Sequence, residues 1–234
     1  GGGLPRARPS LLQRRMRPWW TGHVRQAASI RAMADPQPTP SPSGFPPLPA
    51  AGIRHQPVPY AERLALRDPA SIDLVVVHCT ETPSLADARD FGERLLYPDS
   101  GTGACGHYYI DLDGDIVMYV EPERVAHHVR GWNPRSIGIE IVNRGRWPHW
   151  YHSRHQTMDS PYTEAQITAL LALLVLLRER FPTLRCIAGH EDLDTARVAA
   201  SDDPTQTVWR KRDPGPMFPW PRVLAACGLE RLPP

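Results

Sequence analysis

Ile72-Asp73-Leu74-Val75-Val76-Val77-His78 is the stretch on which the fold turns. A nearly continuous apolar run, rich in β-branched side chains and closed by a single polar residue, predicts a strand buried on both faces. It is the expected centre of a sheet, and it ends on a histidine.

The flanking sequence supplies the rest of the layers. Thr82-Pro83-Ser84 marks a helix start, and Leu85 to Leu96 carries apolar residues at helical spacing. His107–Leu112 and Ile116–Val120 flank Asp113-Gly114, a pair whose tolerance of positive φ predicts a tight hairpin. Ile137 to Val142 alternates, placing Ile137, Ile139 and Ile141 on one face of a strand and Gly138, Glu140 and Val142 on the other. Thr163-Glu164-Ala165-Gln166 is a capping-box pattern, so a helix follows over about 163–180. Its buried stripe is Ile167, Leu170, Leu171, Leu174, Leu177 and Phe181, and Pro182 stops it. Alternating strands and helices predict an α/β (α+β) domain with a central mixed β-sheet flanked by helices.

Length and composition bound what such a domain does. The chain has 234 residues, enough for one sizeable core. Its 27 basic and 25 acidic side chains leave a net charge of +2, so no global field points to nucleic acid or an acidic membrane. The four cysteines form no CxxC pair, which favours free thiols in a reducing compartment. The apolar run Ile167 to Leu177 falls well short of the roughly 20 residues of a membrane span, so no transmembrane segment is expected.

Residues 1–52 read as a disordered leader and linker, 53–229 as the catalytic domain and 230–234 as a tail. Residues 35–51 are proline-rich, and the basic stretch Arg6 to Arg31, with Trp19-Trp20, lacks the apolar core of a signal peptide. Met33 is the expected start, followed by sequence of cytosolic character. Oligomeric state leaves no mark on the sequence.

Three residues have metal-ligand chemistry at the ends of readable patterns. His78 closes the valine run, His190 follows Cys186-Ile187-Ala188-Gly189, and Asp213 sits in Lys211-Arg212-Asp213-Pro214-Gly215-Pro216. Two imidazoles and one carboxylate are what a hydrolytic zinc takes from a protein, leaving one position open. Singly, each has a structural reading: a core histidine, a turn before an acidic loop, and ordinary Asp-Pro-Gly turn chemistry. In an extended segment Lys211 and Asp213 point the same way, which puts an ammonium on the metal side.

Five ordered motifs change the odds: Val75-Val76-Val77-His78, Gly106 to Gly114 (GHYYIDLDG), Ser136-Ile137-Gly138-Ile139-Glu140, Gly189-His190-Glu191-Asp192 and Lys211 to Pro216. Together they resemble the zinc-dependent N-acetylmuramoyl-L-alanine amidases of the type-2 group, which includes AmpD-like enzymes and is related to peptidoglycan recognition proteins. The resemblance covers about residues 53–225. It implies one Zn²⁺ per chain on His78, His190 and Asp213, with Glu140 moving protons and Lys211 holding the oxyanion. It also implies peptidoglycan fragments or muropeptides as partners, and a cytoplasmic role in cell-wall recycling, an exported role being the alternative.

His107 and His128 fit family positions that line the substrate groove, with His128 favoured over His127 in Ala126-His127-His128. Asn133 and Arg135 are expected to contact the peptide stem, the arginine through its bidentate fork. The long loop at 144–162 is dense in aromatics, histidine and arginine, which suits a sugar-stacking wall or a lid. His149, His152 and His155 have i, i+3, i+6 spacing for a second metal, but Trp147-Pro148 and Ser153 argue against a helix that would converge them. Cys79 and Cys186 read as core packing, and Asp202-Asp203 as a solvated turn. The rival to catalysis is a module that holds a muropeptide without cutting it. Such modules tend to lose zinc ligands, whereas this chain has all three together with Glu140 and Lys211.

Overall fold

The computed structural model describes residues 48–232. The readings of the basic leader, Met33 and most of the proline-rich arm fall outside them. The strands are β1 (Ile53–His55), β2 (Leu74–Cys79), β3 (Tyr108–Ile110), β4 (Ile116–Met118), β5 (Ser136–Ile141), β6 (Cys186–Gly189), β7 (Arg197–Ala199), β8 (Thr207–Trp209) and β9 (Glu230–Arg231). The helices longer than one 3-10 turn are α1 (Leu85–Gly92), α2 (Glu164–Arg180), α3 (His190–Leu193) and α4 (Trp220–Cys227).

Every residue of β2 is buried, as a valine run covered on both faces requires. The main sheet has the order β1-β4-β3-β5-β2-β6-β9, so β2 lies in its interior, between parallel neighbours β5 and β6. The β3–β4 hairpin introduces the antiparallel pair that makes the sheet mixed. Ile137, Ile139 and Ile141 of β5 are fully buried on one face, and Gly138 and Glu140 occupy the other. β7 and β8 form a separate two-stranded hairpin whose turn holds Asp202-Asp203.

The hairpin at Asp113-Gly114 is wider than a two-residue turn. The Asp111 amide donates to the Asp115 carbonyl at 2.9 Å and Gly114 N–H to the Asp111 carbonyl at 3.0 Å, with Gly114 at φ 89°. A Cβ there would also sit 2.8 Å from the Ala165 carbonyl oxygen, so the glycine lets the hairpin meet the first turn of α2.

α2 forms as its capping pattern predicts. Thr163 Oγ1 accepts from Gln166 N–H at 3.0 Å, and Gln166 Oε1 accepts from Thr163 N–H at 3.0 Å. The Thr163 hydroxyl also donates to the Leu112 carbonyl at 2.8 Å, tying the helix start to the hairpin. The helix is buried beyond the expected stripe, with Ala169, Ala172 and Leu173 also inside. No helix among the described residues is long and apolar enough to cross a membrane.

Two boundaries differ from expectation. α1 stops at Gly92 instead of reaching Leu96, because the Gly92 carbonyl is taken by the Tyr60 hydroxyl at 2.5 Å. Leu95 and Leu96 are then exposed, so their helical spacing buries nothing. The expected tail at 230–234 contributes β9, which pairs Glu230 with Cys186 and Arg231 with Ile187. Arg231 anchors it through Asp192, Nε to Oδ2 at 3.0 Å and Nη2 to Oδ1 at 2.8 Å. Two polar residues gave no strand signal, since an edge strand is held by backbone bonds and not by apolar alternation.

Thr163→Ala removes both the cap and the bond to Leu112. Chemical denaturation is expected to show a loss of about 1–2 kcal/mol, largely recovered in Thr163→Ser.

Candidate metal centre and active site

Parallel pairing brings the carboxyl ends of β2, β5 and β6 to one edge of the sheet, where α/β folds bind ligands. In register, His78 lies beside Glu140 and Val77 beside Gly189, so His190 follows as the first residue of α3. Asp213 arrives on the segment after β8, and its carbonyl accepts from Glu191 N–H at 2.9 Å. Gly189 permits that approach, because a Cβ would lie 2.8 Å from Pro214 Cδ.

Asp213 Oδ2 is 2.9 Å from His78 Nδ1 and 3.1 Å from His190 Nδ1. All three side chains are buried. Among the described residues these form the metal-ligating group found, with one donor atom from each within 4.8 Å of the others. His190 Nε2 and Asp213 Oδ1 are buried without a hydrogen-bond partner. Two nitrogens and a carboxylate converging on one point, with donor capacity left over, fit the three-ligand set of a hydrolytic zinc.

The electrostatics agree with ligand protonation states. Burial holds the His190 imidazole below its ordinary pKa against the pull of Asp213, which favours the neutral ring that binds metal. Burial pushes the Asp213 carboxyl up, but the charge and hydrogen bonds of His190 and His78 overcome it and hold Asp213 well below the usual carboxylate range.

Glu140 Oε1 lies 3.9 Å from His78 Nδ1. Burial raises its carboxyl to about 7, with His78 and Lys211 lowering and Asp213 adding to the shift. Gly106 makes room for it, since a Cβ there would stand 2.9 Å from Glu140 Cγ. Glu140, Lys211 and all three converging ligands line one cleft of about 260 Å³. Of the 27 basic residues only Lys211 is a lysine; every other one is an arginine. The one lysine ammonium of the chain therefore lines the cleft.

His128 also lines the cleft, with Nδ1 3.0 Å from His78 Nε2 and Nε2 3.2 Å from the Ser136 hydroxyl. Gly138 admits it: a Cβ would lie 2.6 Å from the ring. His127 lines the cleft as well, its ring edge-on to Tyr97.

Three expected substrate contacts are elsewhere. His107 is fully buried, outside the cleft lining. Its Nδ1 accepts from Gly138 N–H at 3.0 Å, which leaves Nε2 to donate to the Arg124 carbonyl at 3.0 Å. It is a packing histidine, kept neutral by burial and by Arg67. Asn133 Oδ1 accepts from the amides of His128 and Val129 at 3.0 and 2.8 Å, so it shapes the loop carrying His128. Arg135 forks onto Asp73, with Nε 2.6 Å from Oδ1. Asn133 precedes β5 and Arg135 abuts its amino end, and Glu140 lies five residues beyond Arg135, roughly 16 Å at strand rise.

The residues that sequence missed are Glu81 and Arg146. Glu81, at φ 49°, accepts from Arg146 N–H at 3.1 Å and Nε at 2.7 Å on Oε1, and from Nη2 at 2.9 Å on Oε2. Arg146 Nη1 also donates to the Trp209 carbonyl at 2.9 Å, two residues before Lys211. The Trp150 indole N–H donates to the Glu81 carbonyl at 3.0 Å. One buried guanidinium thus joins the end of β2, the aromatic loop and the segment leading to Lys211, and Trp150 and Tyr151 become a wall of the cleft.

Residues 68–216 match the family profile of N-acetylmuramoyl-L-alanine amidase. The chain belongs to that amidase family. Its similarity to the 1,6-anhydro-N-acetylmuramyl-L-alanine amidase AmpD of Enterobacter cloacae is 31% identity over 125 residues, 50% of this chain and 53% of that protein. The endolysin of Klebsiella phage KP32 is 26% identical over 140 residues, 59% of this chain and 86% of that protein. A solved selenomethionine derivative of AmpD superposes with a TM-score of 0.52 at 26% identity, covering 74% of this chain and 93% of that one. This amidase chain thus spans about half the length of its AmpD relative and most of the phage enzyme. The amidase class and the mixed-sheet fold expected from the motifs are both met.

Arg146→Met leaves the buried Glu81 carboxylate uncompensated. Denaturation is expected to register a loss of about 3–5 kcal/mol, partly restored by Glu81→Gln in the same chain.

Proposed function

We propose that this chain hydrolyses the amide between the lactyl group of N-acetylmuramic acid and L-alanine in peptidoglycan fragments, with a zinc ion on His78, His190 and Asp213. The observation that carries the reading is the convergence of both Nδ1 atoms on Asp213 Oδ2, at 2.9 and 3.1 Å, with Glu140 beside them.

A zinc ion held there supplies Lewis acidity to a water and to the scissile carbonyl. The side chains do the rest. Glu140, raised to about 7, accepts the proton of the attacking water and delivers it to the leaving alanine nitrogen. The Lys211 ammonium faces the oxyanion that develops on the carbonyl. His128, held neutral by burial and by His78, presents a ring to the same space. Trp150 and Tyr151 offer aromatic faces to the sugar or the lactyl-peptide edge.

Residues 53–232 serve in this reading as the catalytic domain. AmpD similarity supports an anhydro-muropeptide as substrate and a cytoplasmic recycling role, and the similarity to phage endolysins supports action on intact wall. Comparing turnover of an anhydro-muropeptide with release of stem peptide from intact sacculi separates the two, and the recycling role requires the former to dominate.

His190→Ala is expected to lose the cleft zinc and all stem-peptide release; full activity without that metal would overturn the reading. Glu140→Gln should keep zinc while kcat falls about 10²–10⁴-fold. Lys211→Arg should also keep zinc and lose kcat more than KM, because a planar fork does not replace a point charge at that spot. Zinc-loaded protein that holds muropeptide yet releases no alanine peptide would make the chain a binding module instead.

A further inference from the structure

Outside the cleft, the loop of Trp147-Pro148-His149-Trp150-Tyr151-His152-Ser153-Arg154-His155 carries three histidines that no proline-interrupted helix should gather. The backbone gathers them by another route. His149 N–H donates to the Arg146 carbonyl at 2.9 Å, His152 N–H to the His149 carbonyl at 3.0 Å, and His155 N–H to the His152 carbonyl at 3.1 Å. Consecutive i to i+3 turns have three residues per repeat, so every third side chain lies on one side.

The imidazoles are accordingly neighbours. Ring centroids are 4.5 Å apart for His152 and His155, 4.8 Å for His149 and His155, and 6.0 Å for His149 and His152. Two imidazoles bound to one zinc at ~2.0–2.1 Å place their centroids roughly 4.5–6 Å apart for bond angles between about 90° and 140°. The nitrogens are less converged than those of His78 and His190, since this trio does not meet the 4.8 Å mutual spacing of the cleft ligands. His149 and His155 are exposed, so their rings turn about the Cβ–Cγ bond without repacking the core.

A second observation comes from the neighbouring hairpin. The Asp202 carboxylate lies 3.4 Å from His152 Nδ1 and is fixed by Ser153, whose N–H and hydroxyl each donate to it at 2.7 Å. Arg154 N–H donates to His152 Nδ1 at 3.2 Å, so that nitrogen carries the lone pair, and its separation from the Asp202 oxygen is close to the roughly 3.3 Å between two donors of one tetrahedral ion.

We propose that His149, His152 and His155, with Asp202 beside His152, hold a second divalent transition-metal ion, of the imidazole-preferring kind such as zinc or nickel. The ion ties the aromatic loop to the turn of the β7–β8 hairpin, next to the existing bond from Ser201 N–H to the Tyr151 carbonyl at 2.8 Å. It secures the wall that carries Trp150 and Tyr151. The proposal does not depend on the chemistry assigned to the cleft.

Metal-stripped full chain titrated with Zn²⁺ against a competing chelator tests it, with bound metal counted by mass spectrometry. The expected result is two ions for the wild type, one for His190→Ala, and one for the His149→Ala/His152→Ala/His155→Ala variant with amidase activity retained. His155→Ala alone, at an exposed position, should weaken the second ion at least tenfold with an unchanged circular dichroism spectrum. One ion in the wild type that His190→Ala abolishes would overturn the proposal, as would two ions in the triple variant. One ion persisting in His190→Ala but absent from the triple variant would support the loop site while refuting the metal assigned to the cleft.

Discussion

The register of β2 against β5 and β6 is the constraint on which everything else rests. His78 stands beside Glu140 and Val77 beside Gly189, so one pairing scheme delivers an imidazole, a carboxylate and the approach to a second imidazole to the same edge. A slip of one residue would turn His78 into the opposite layer and bring a valine to the cleft. The valines of β2 and the isoleucines of β5 prevent the slip, because each alternative register buries a polar residue among them. Core packing and site geometry are thus one requirement.

Around that edge, missing side chains matter as much as present ones. Gly106 clears space for Glu140, Gly138 for His128 and Gly189 for Pro214. Each glycine places a functional group by yielding volume to it. Burial of the cleft's ionisable groups gives its charges their character. Burial favours a neutral His190 and lifts Glu140 to about 7, while only the direct contact with two imidazoles keeps Asp213 ionised.

What the sequence revealed and what it hid divide along contact distance. The strand ending in His78, the capping box at Thr163 and the alternation around Glu140 are local patterns with periods of a few residues, and the structure reproduces them. The convergence of His78, His190 and Asp213 was legible through the order of motifs around them, since none of the three is distinctive alone. The partners that Asn133, Arg135 and His107 take were not legible, because residue type does not say which amide or carboxylate a side chain will meet. Glu81 and Arg146 were invisible for a related reason. They are 65 positions apart, and a left-handed glutamate leaves no trace in composition. Around His149, His152 and His155 the sequence argues against a helix, and the chain makes the three rings neighbours with three-residue turns instead.

A chain that uses arginine for every other cationic task and reserves its single lysine for the cleft has an unusual chemical address. Reagents that acylate or reductively methylate amines meet one lysine side chain in this sequence, Lys211. Isotope-labelled methyl groups placed on Lys211 would therefore give a single lysine resonance, from inside the cleft. The amine's own exchange and titration would then report on whatever occupies the space between Glu140 and Asp213.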